Sequence, residues 1–319
     1  MGNAVSIALN DWLRLGIDSK AYPRLPLELE RAIFELVALS HPVSIPNLLL
    51  VASRVKEWIQ PLLYHTLVFD SARPGLTRRL VDGLRFHKPA SFFRIIRRQR
   101  NLVECAQNLM FLGSQTPVGQ LQTVLSACPR VQNLYVLWPY PGDDFDEATL
   151  DALPLRRLHC HIGGLAPNNP FQRPFFSNMS HLELWRVPKE EDWPTLARLP
   201  RLTHLALGHY NEALSELLLK ERETLIMLVV LVPPTTGTNY STVEADPRFV
   251  MMTWRLPSSI HDWQRGVLHG DDYWGRVEDF IARRRAGLPR PPYNMFQRIQ
   301  SIPFIILTPD FDPKAKTDV

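Results

Sequence analysis

LRRLHCH, residues 155–161, follows the pattern apolar-x-x-apolar-x-apolar through Leu155, Leu158 and Cys160. Alternation of this kind marks a short strand with one face turned to a core. The same pattern recurs at Val131-Leu134-Val136, Met179-Leu182-Leu184, Leu202-Leu205-Leu207, Leu225-Leu228-Val230 and Phe249-Met252-Trp254, with an earlier copy at Ala106-Leu109-Phe111. The middle positions 109, 134, 158, 182, 205, 228 and 252 step by 25, 24, 24, 23, 23 and 24 residues. Spacing this even is the signature of an internal repeat. Helical or turn segments precede most copies, among them GQLQTVLSACP, DEATLDALP, DWPTLARLP and ALSELLLKERET.

The pattern and its period resemble a leucine-rich repeat, over residues 101–256. The asparagine that follows the strand in that family is absent, with Pro139, Gly163, Val187 and Tyr210 in its place. The resemblance therefore implies an irregular solenoid. An ordinary α/β domain with strand-like segments is the alternative. In a solenoid the alternate strand positions line a concave binding face. The polar and aromatic half of that row supplies the expected target-binding residues: Tyr135, Arg157, His159, His181, Glu183, Trp185 and His204. Its second half, from Met227 to Met251, is apolar and is expected under the C-terminal segment. His159, His161, His181 and His204 could approach one another across adjacent strands, but no metal is expected, because histidines on a solvated polar face are much commoner than metal ligands.

Upstream, the periodicity changes to that of helices. In LPLELERAIFELVALS, residues 25–40, Pro26 suits a first helical turn, and Leu29, Ile33, Leu36 and Val37 share one face. Two more helical patterns follow, one through Leu48, Val51, Ala52 and Val55, the other through Val55, Trp58, Ile59, Leu62 and Leu63. Leu25 to Phe69 resembles an F-box of the fungal type, carried by Leu25, Pro26, Leu29, Ile33, Phe34, Leu48, Val51, Val55, Trp58 and Leu63. The resemblance implies docking on the adaptor subunit of a Skp/cullin/F-box ubiquitin ligase, with Leu25, Pro26, Leu29 and Ile33 in that interface. The proline-interrupted middle, SHPVSIPN, departs from the family pattern.

Nine basic residues and one acid lie between Arg73 and Arg100, interleaved with Phe86, Phe92, Phe93, Ile95 and Ile96. This reads as linking amphipathic helices with outward arginines. Near the end, DDYWGRVEDFIARRRAG reads as a helix capped by Asp271 or Asp272, with Trp274, Val277, Phe280 and Ile281 inward and Gly287 as its stop. SIPFIILTPD, residues 301–310, suits one more strand.

A net charge of +4 over 319 residues gives no general attraction to polyanions, so nucleic acid is not an expected partner. The longest clean apolar run, Leu225 to Val232, is too short for a bilayer. The start matches a myristoylation pattern at Gly2 and Ser6, but one acyl chain binds membranes weakly and no basic cluster follows it, so no membrane partner is expected. Cys105, Cys128 and Cys160 are odd in number and widely spaced, as in reduced intracellular proteins. No G-x-S-x-G, phosphate-cradling glycine loop or H-E-x-x-H occurs.

The expected plan is an α/β chain. An N-terminal segment (1–22) precedes a three-helix F-box-like head (23–70) and basic linker helices (71–100). An irregular leucine-rich-repeat-like solenoid (101–256) follows, closed by a C-terminal helical cap and tail (257–319). The expected function is that of a cytoplasmic or nuclear substrate receptor for a ubiquitin ligase, without catalytic residues or cofactor. Its partners would be the adaptor and a target protein. The alternative is an interaction scaffold in which the head is only structural.

Overall fold

The computed structural model describes residues 25–70, 84, 86–112, 117–136, 146–161, 170–232, 246–253 and 256–288. They fall into two units, one ending at Ile59 and the other starting at Gln60. The segment 1–22 with its Gly2 start, Arg73, Arg78, Arg79 and Arg85, and the strand expected within 301–310 lie outside the described residues.

In the first unit Pro26 precedes α1 (Leu27–Ser40), and its carbonyl accepts from the amides of Leu29 and Glu30. Glu28 and Glu30 sit in the first turn, where the helix dipole favours acids. The helix stops ahead of Pro42, because a residue before proline resists the helical conformation. A 3-10 turn then leads to α2 (Ile45–Leu48) and α3 (Ser53–Ile59). Among the unit's described residues, Ala38, Ile45, Val55 and Ile59 are the buried apolar ones. On the surface Arg54 pairs with Glu30 at 2.7 Å, tying α3 to α1.

The second unit is built on one sheet. Its nine strands are β1 (Thr66–Asp70), β2 (Phe86–His87), β3 (Asn108–Leu112), β4 (Asn133–Val136), β5 (Arg157–Cys160), β6 (His181–Leu184), β7 (His204–Leu207), β8 (Met227–Val232) and β9 (Phe249–Thr253). Their order is β2-β1-β3-β4-β5-β6-β7-β8-β9, and every pair is parallel. Leu109, Leu134, Leu158, Leu182, Leu205 and Leu228 are successive register partners.

Parallel strands need crossovers, and these cover one face with α4 (Pro89–Arg98), α5 (Arg100–Val103), α6 (Val118–Ala127), α7 (Ala148–Asp151), α8 (Trp193–Ala197) and α9 (Glu212–Glu221). Phe69, Phe111, Leu134, Leu158, Leu182 and Leu205 pack there with Phe92, Leu125, Phe176 and Leu218. The chain then returns as α10 (Leu256–His269) and α11 (Tyr273–Arg285) to cover the opposite face. Trp263 of α10 joins Val68, Met110 and Tyr135. Tyr273, Trp274, Val277 and Ile281 of α11 join Ala206, Met227, Val229 and Leu231. The observed helix α11 has the expected ends: the Asp272 carboxylate accepts from Gly275 N at 3.1 Å, and Gly287 takes φ +63 just past its end.

This architecture corrects the expected one. The protein is an α/β fold on a single all-parallel sheet, not an F-box helical head followed by a leucine-rich-repeat solenoid with an end cap. Two physical reasons stand out. Residues Thr66–Asp70, expected to finish the head, form β1 and pair with β3, and the third helix ends at Ile59. The face expected to be open and concave is buried by α10 and α11, and a parallel sheet is stable when both faces are covered. The last strand also departs in register. Val250 and Met252 share the face under α11, whereas Met251 had been expected there. A slip of one residue exchanges the faces of a strand.

Candidate functional site

The row of expected target-binding residues is brought together, beneath α10 and α11. Tyr135, His159, Glu183 and His204 are buried, and Arg157, His181 and Trp185 are half-buried. Tyr135, Arg157, Glu183 and His204 are each met by a partner far along the chain. Tyr135 Oη is 3.0 Å from Ser259 Oγ, and the Tyr273 hydroxyl donates to Glu183 Oε2 at 2.8 Å. Arg157 donates to Asp272 Oδ2 at 2.7 Å, and His204 Nε2 lies 2.7 Å from Glu278 Oε1. His159 Nδ1 is 2.7 Å from Glu183 Oε2, within ion-pair range but outside hydrogen-bond geometry. Trp185 packs beside Tyr135 at the margin of the α10 cluster.

The His181 and His204 rings stack in parallel at 4.0 Å, with Trp274 edge-on to both. Burial first, and then His204, Arg157 and His159, push the His181 imidazole down to about 2. His204 is also held below its ordinary value, because burial outweighs the contact with Glu278. Both rings are uncharged at neutral pH. Under α11, burial pushes the Asp262 carboxyl up to about 6, against the pull of Arg276.

The edge of this region is open. A cleft of about 530 Å³ lies where the strands begin, facing the turn between α10 and α11. Its sheet wall is made of residue pairs at the strand starts: Gln107-Asn108, Gln132-Asn133, Arg156-Arg157 and Ser180-His181. The pattern has a backbone cause. The carbonyl of Gln107 accepts from the amides of both Gln132 and Asn133, and those of Gln132, Arg156 and Ser180 accept equally from the next pair. This staircase turns successive pairs to the same edge. The helix wall includes Asp272, Trp274 and Glu278, and His65 closes one end. Sequence reasoning found Arg157 and His181 but missed the rest. The available signal was the polar pair straddling the start of β3, β4, β5 and β6 at the repeat period.

The residues expected to dock on an adaptor lie in the first unit, on α1 and just before it. Leu25, Leu29 and Ile33 are about half exposed, and Pro26 is exposed. Leu27, Leu36, Leu39, Val43, Leu50 and Val51 are exposed too, so among the described residues nine of the eleven exposed large apolar ones fall between 25 and 51.

Other expected groups are placed as follows. Helix α4 buries Phe92 and exposes Arg94, Arg97 and Arg98. The three cysteines are unpaired with each other; burial pushes Cys128 up to about 12 and raises Cys160 further, so neither is a nucleophile at neutral pH. Among the described residues no group of three or more His, Cys, Asp or Glu is arranged to hold a metal ion, and no helix is long and apolar enough to cross a membrane.

No protein-family model matches the chain, and no curated protein matches it.

Proposed function

We propose that this protein is a recognition subunit. Its N-terminal unit docks on the adaptor of a Skp/cullin/F-box-type ubiquitin ligase, and its α/β unit meets a target protein. One observation carries the reading: the concentration of bare apolar side chains between Leu25 and Val51. Contiguous exposed apolar surface on a soluble unit usually marks a docking surface. The spacing that resembles an F-box supports the choice of partner. The mechanism would be proximity, raising the effective concentration of a target beside a ubiquitin-charged enzyme. It needs no catalytic residue in this chain. A target meets the body outside the buried row, where Arg157 and His181 still reach the cleft.

A second reading is an interaction scaffold with a different docking partner. It is favoured by the departure of Thr66–Asp70 into the sheet, which leaves the N-terminal unit shorter than an F-box. Co-expression with the ligase adaptor followed by pull-down separates the two. The ligase reading expects retention by the native chain and loss with Leu29→Asp/Ile33→Asp, at unchanged melting temperature. Both positions are about half exposed, so burial against a partner has about 1 kcal/mol each still to gain, and a buried aspartate costs far more. No retention by the folded native chain leaves the scaffold reading.

A further inference from the structure

We propose that the cleft at the strand starts binds a neutral, hydroxyl-rich ligand of the oligosaccharide class. The inference is independent of adaptor docking.

Charge balance argues first. Arg157 is paired with Asp272 at 2.7 Å, and Glu278 meets the uncharged His204 at 2.7 Å, so Arg156 and Glu278 are the wall's two charges without an opposite charge beside them among the described residues, and their signs cancel. His65, His181 and His204 are all held uncharged at neutral pH, chiefly by burial. A cleft so balanced has little to offer a polyanion or a polycation.

Hydrogen-bonding capacity argues second. Gln107, Asn108, Gln132, Asn133 and Ser180 line one wall; Asn108 spends its carboxamide on His65, Thr66 and Asn133, Gln107 meets His65 and Ser180 donates to Arg156 O, so the carboxamides of Gln132 and Asn133 carry the open capacity. A carboxamide presents a donor pair and an acceptor side by side. Hydroxyl groups, which both donate and accept, match such a wall. The Gln132 side chain makes no hydrogen bond among the described residues. Asn133 spends one amide hydrogen on Asn108, and its carbonyl oxygen accepts none.

The third observation is a buried donor. Trp274 is 2% exposed and lines the cleft, and its indole N–H has no acceptor among the described residues. A buried N–H left unpaired forfeits its hydration, which marks this corner of the cleft as short of an acceptor. Extent argues last. The pairs belong to four successive strands, and strands lie about 4.8 Å apart, so the wall is longer than a single sugar ring. A cleft of about 530 Å³ is of ordinary ligand-site size.

The test is isothermal titration of the full chain with neutral oligosaccharides: cello-, xylo-, manno-, malto- and N-acetylchito-oligomers. At least one series is expected to bind, with affinity insensitive to added salt. Gln132→Ala should weaken it about three- to tenfold at unchanged melting temperature, because that side chain holds nothing in the fold. Arg156→Ala should change it less. The inference is overturned if no series binds, if Gln132→Ala leaves affinity unchanged, or if binding disappears with salt and with Arg156→Ala, which would identify an anion site.

Discussion

Tyr273→Phe removes one oxygen atom from the centre of the contact between α11 and the sheet. Tyr273 and Glu183 are each 1% exposed, and the hydroxyl donates to Glu183 Oε2 at 2.8 Å. Without it that carboxylate oxygen keeps only the off-line contact with His159 Nδ1 at 2.7 Å. The loss of a hydrogen bond to a buried charged group is worth about 1.5–3 kcal/mol, slightly offset by the more apolar phenyl ring. Urea unfolding followed by far-ultraviolet circular dichroism should therefore show a lower midpoint with an unchanged slope. Glu183→Leu alone takes this acceptor from the Tyr273 hydroxyl and should cost a similar amount. The double variant replaces both partners by apolar groups, so its loss should fall short of the sum by at least about 1 kcal/mol. If Tyr273→Phe stays within about 0.5 kcal/mol of the native chain, the level expected of an ordinary surface change, then α11 does not seal this face and the buried row is wet.

Two further outcomes follow from the same packing. His65, His181 and His204 have folded-state values below their ordinary one, His181 at about 2, so the unfolded chain takes up their protons first and stability falls as pH drops below about 6.5. Asp262, raised to about 6, acts in the opposite sense below that pH, but it is one group against three. The melting temperature should fall between neutral pH and pH 5 (roughly 2 kcal/mol from His181 alone), and a flat profile would contradict the burial of these rings. A Cβ on Gly208 would lie 2.5 Å from the carbonyl oxygen of Trp185, whereas one on Gly119 in α6 meets nothing within 4 Å. In thermal melts Gly208→Ala should cost about 1–3 kcal/mol and Gly119→Ala should gain up to about 1 kcal/mol. Equal effects would mean that β6 and β7 are further apart at this point than the structure has them.

The strands were legible in the sequence because their core side alternates with few interruptions, and the middle leucines do meet as register partners. Helix α11 was legible from local chemistry, with an aspartate at its start, an apolar stripe and a glycine past its end. What covers the sheet was not. Arg157, His159, His181 and Glu183 look like a solvated face when only their neighbours are known. Asp272 and Tyr273, the partners of Arg157 and Glu183, stand 90 and more residues later, and pairing at that distance leaves no period to read. The apolar half from Met227 to Leu231 did signal a cover, and α11 supplies it. The cleft was missed because attention to core positions passes over the residue pair at the start of each of β3 to β6.

The central claim is that the apolar surface between Leu25 and Val51 is the docking face for a ligase adaptor. Amide hydrogen exchange of the full chain, with and without purified adaptor, tests it most directly. The account predicts slowed exchange along α1, from Leu27 to Ser40, with the sheet strands unchanged. Unaltered exchange in α1 at saturating adaptor, or protection confined to the α/β unit, would contradict it.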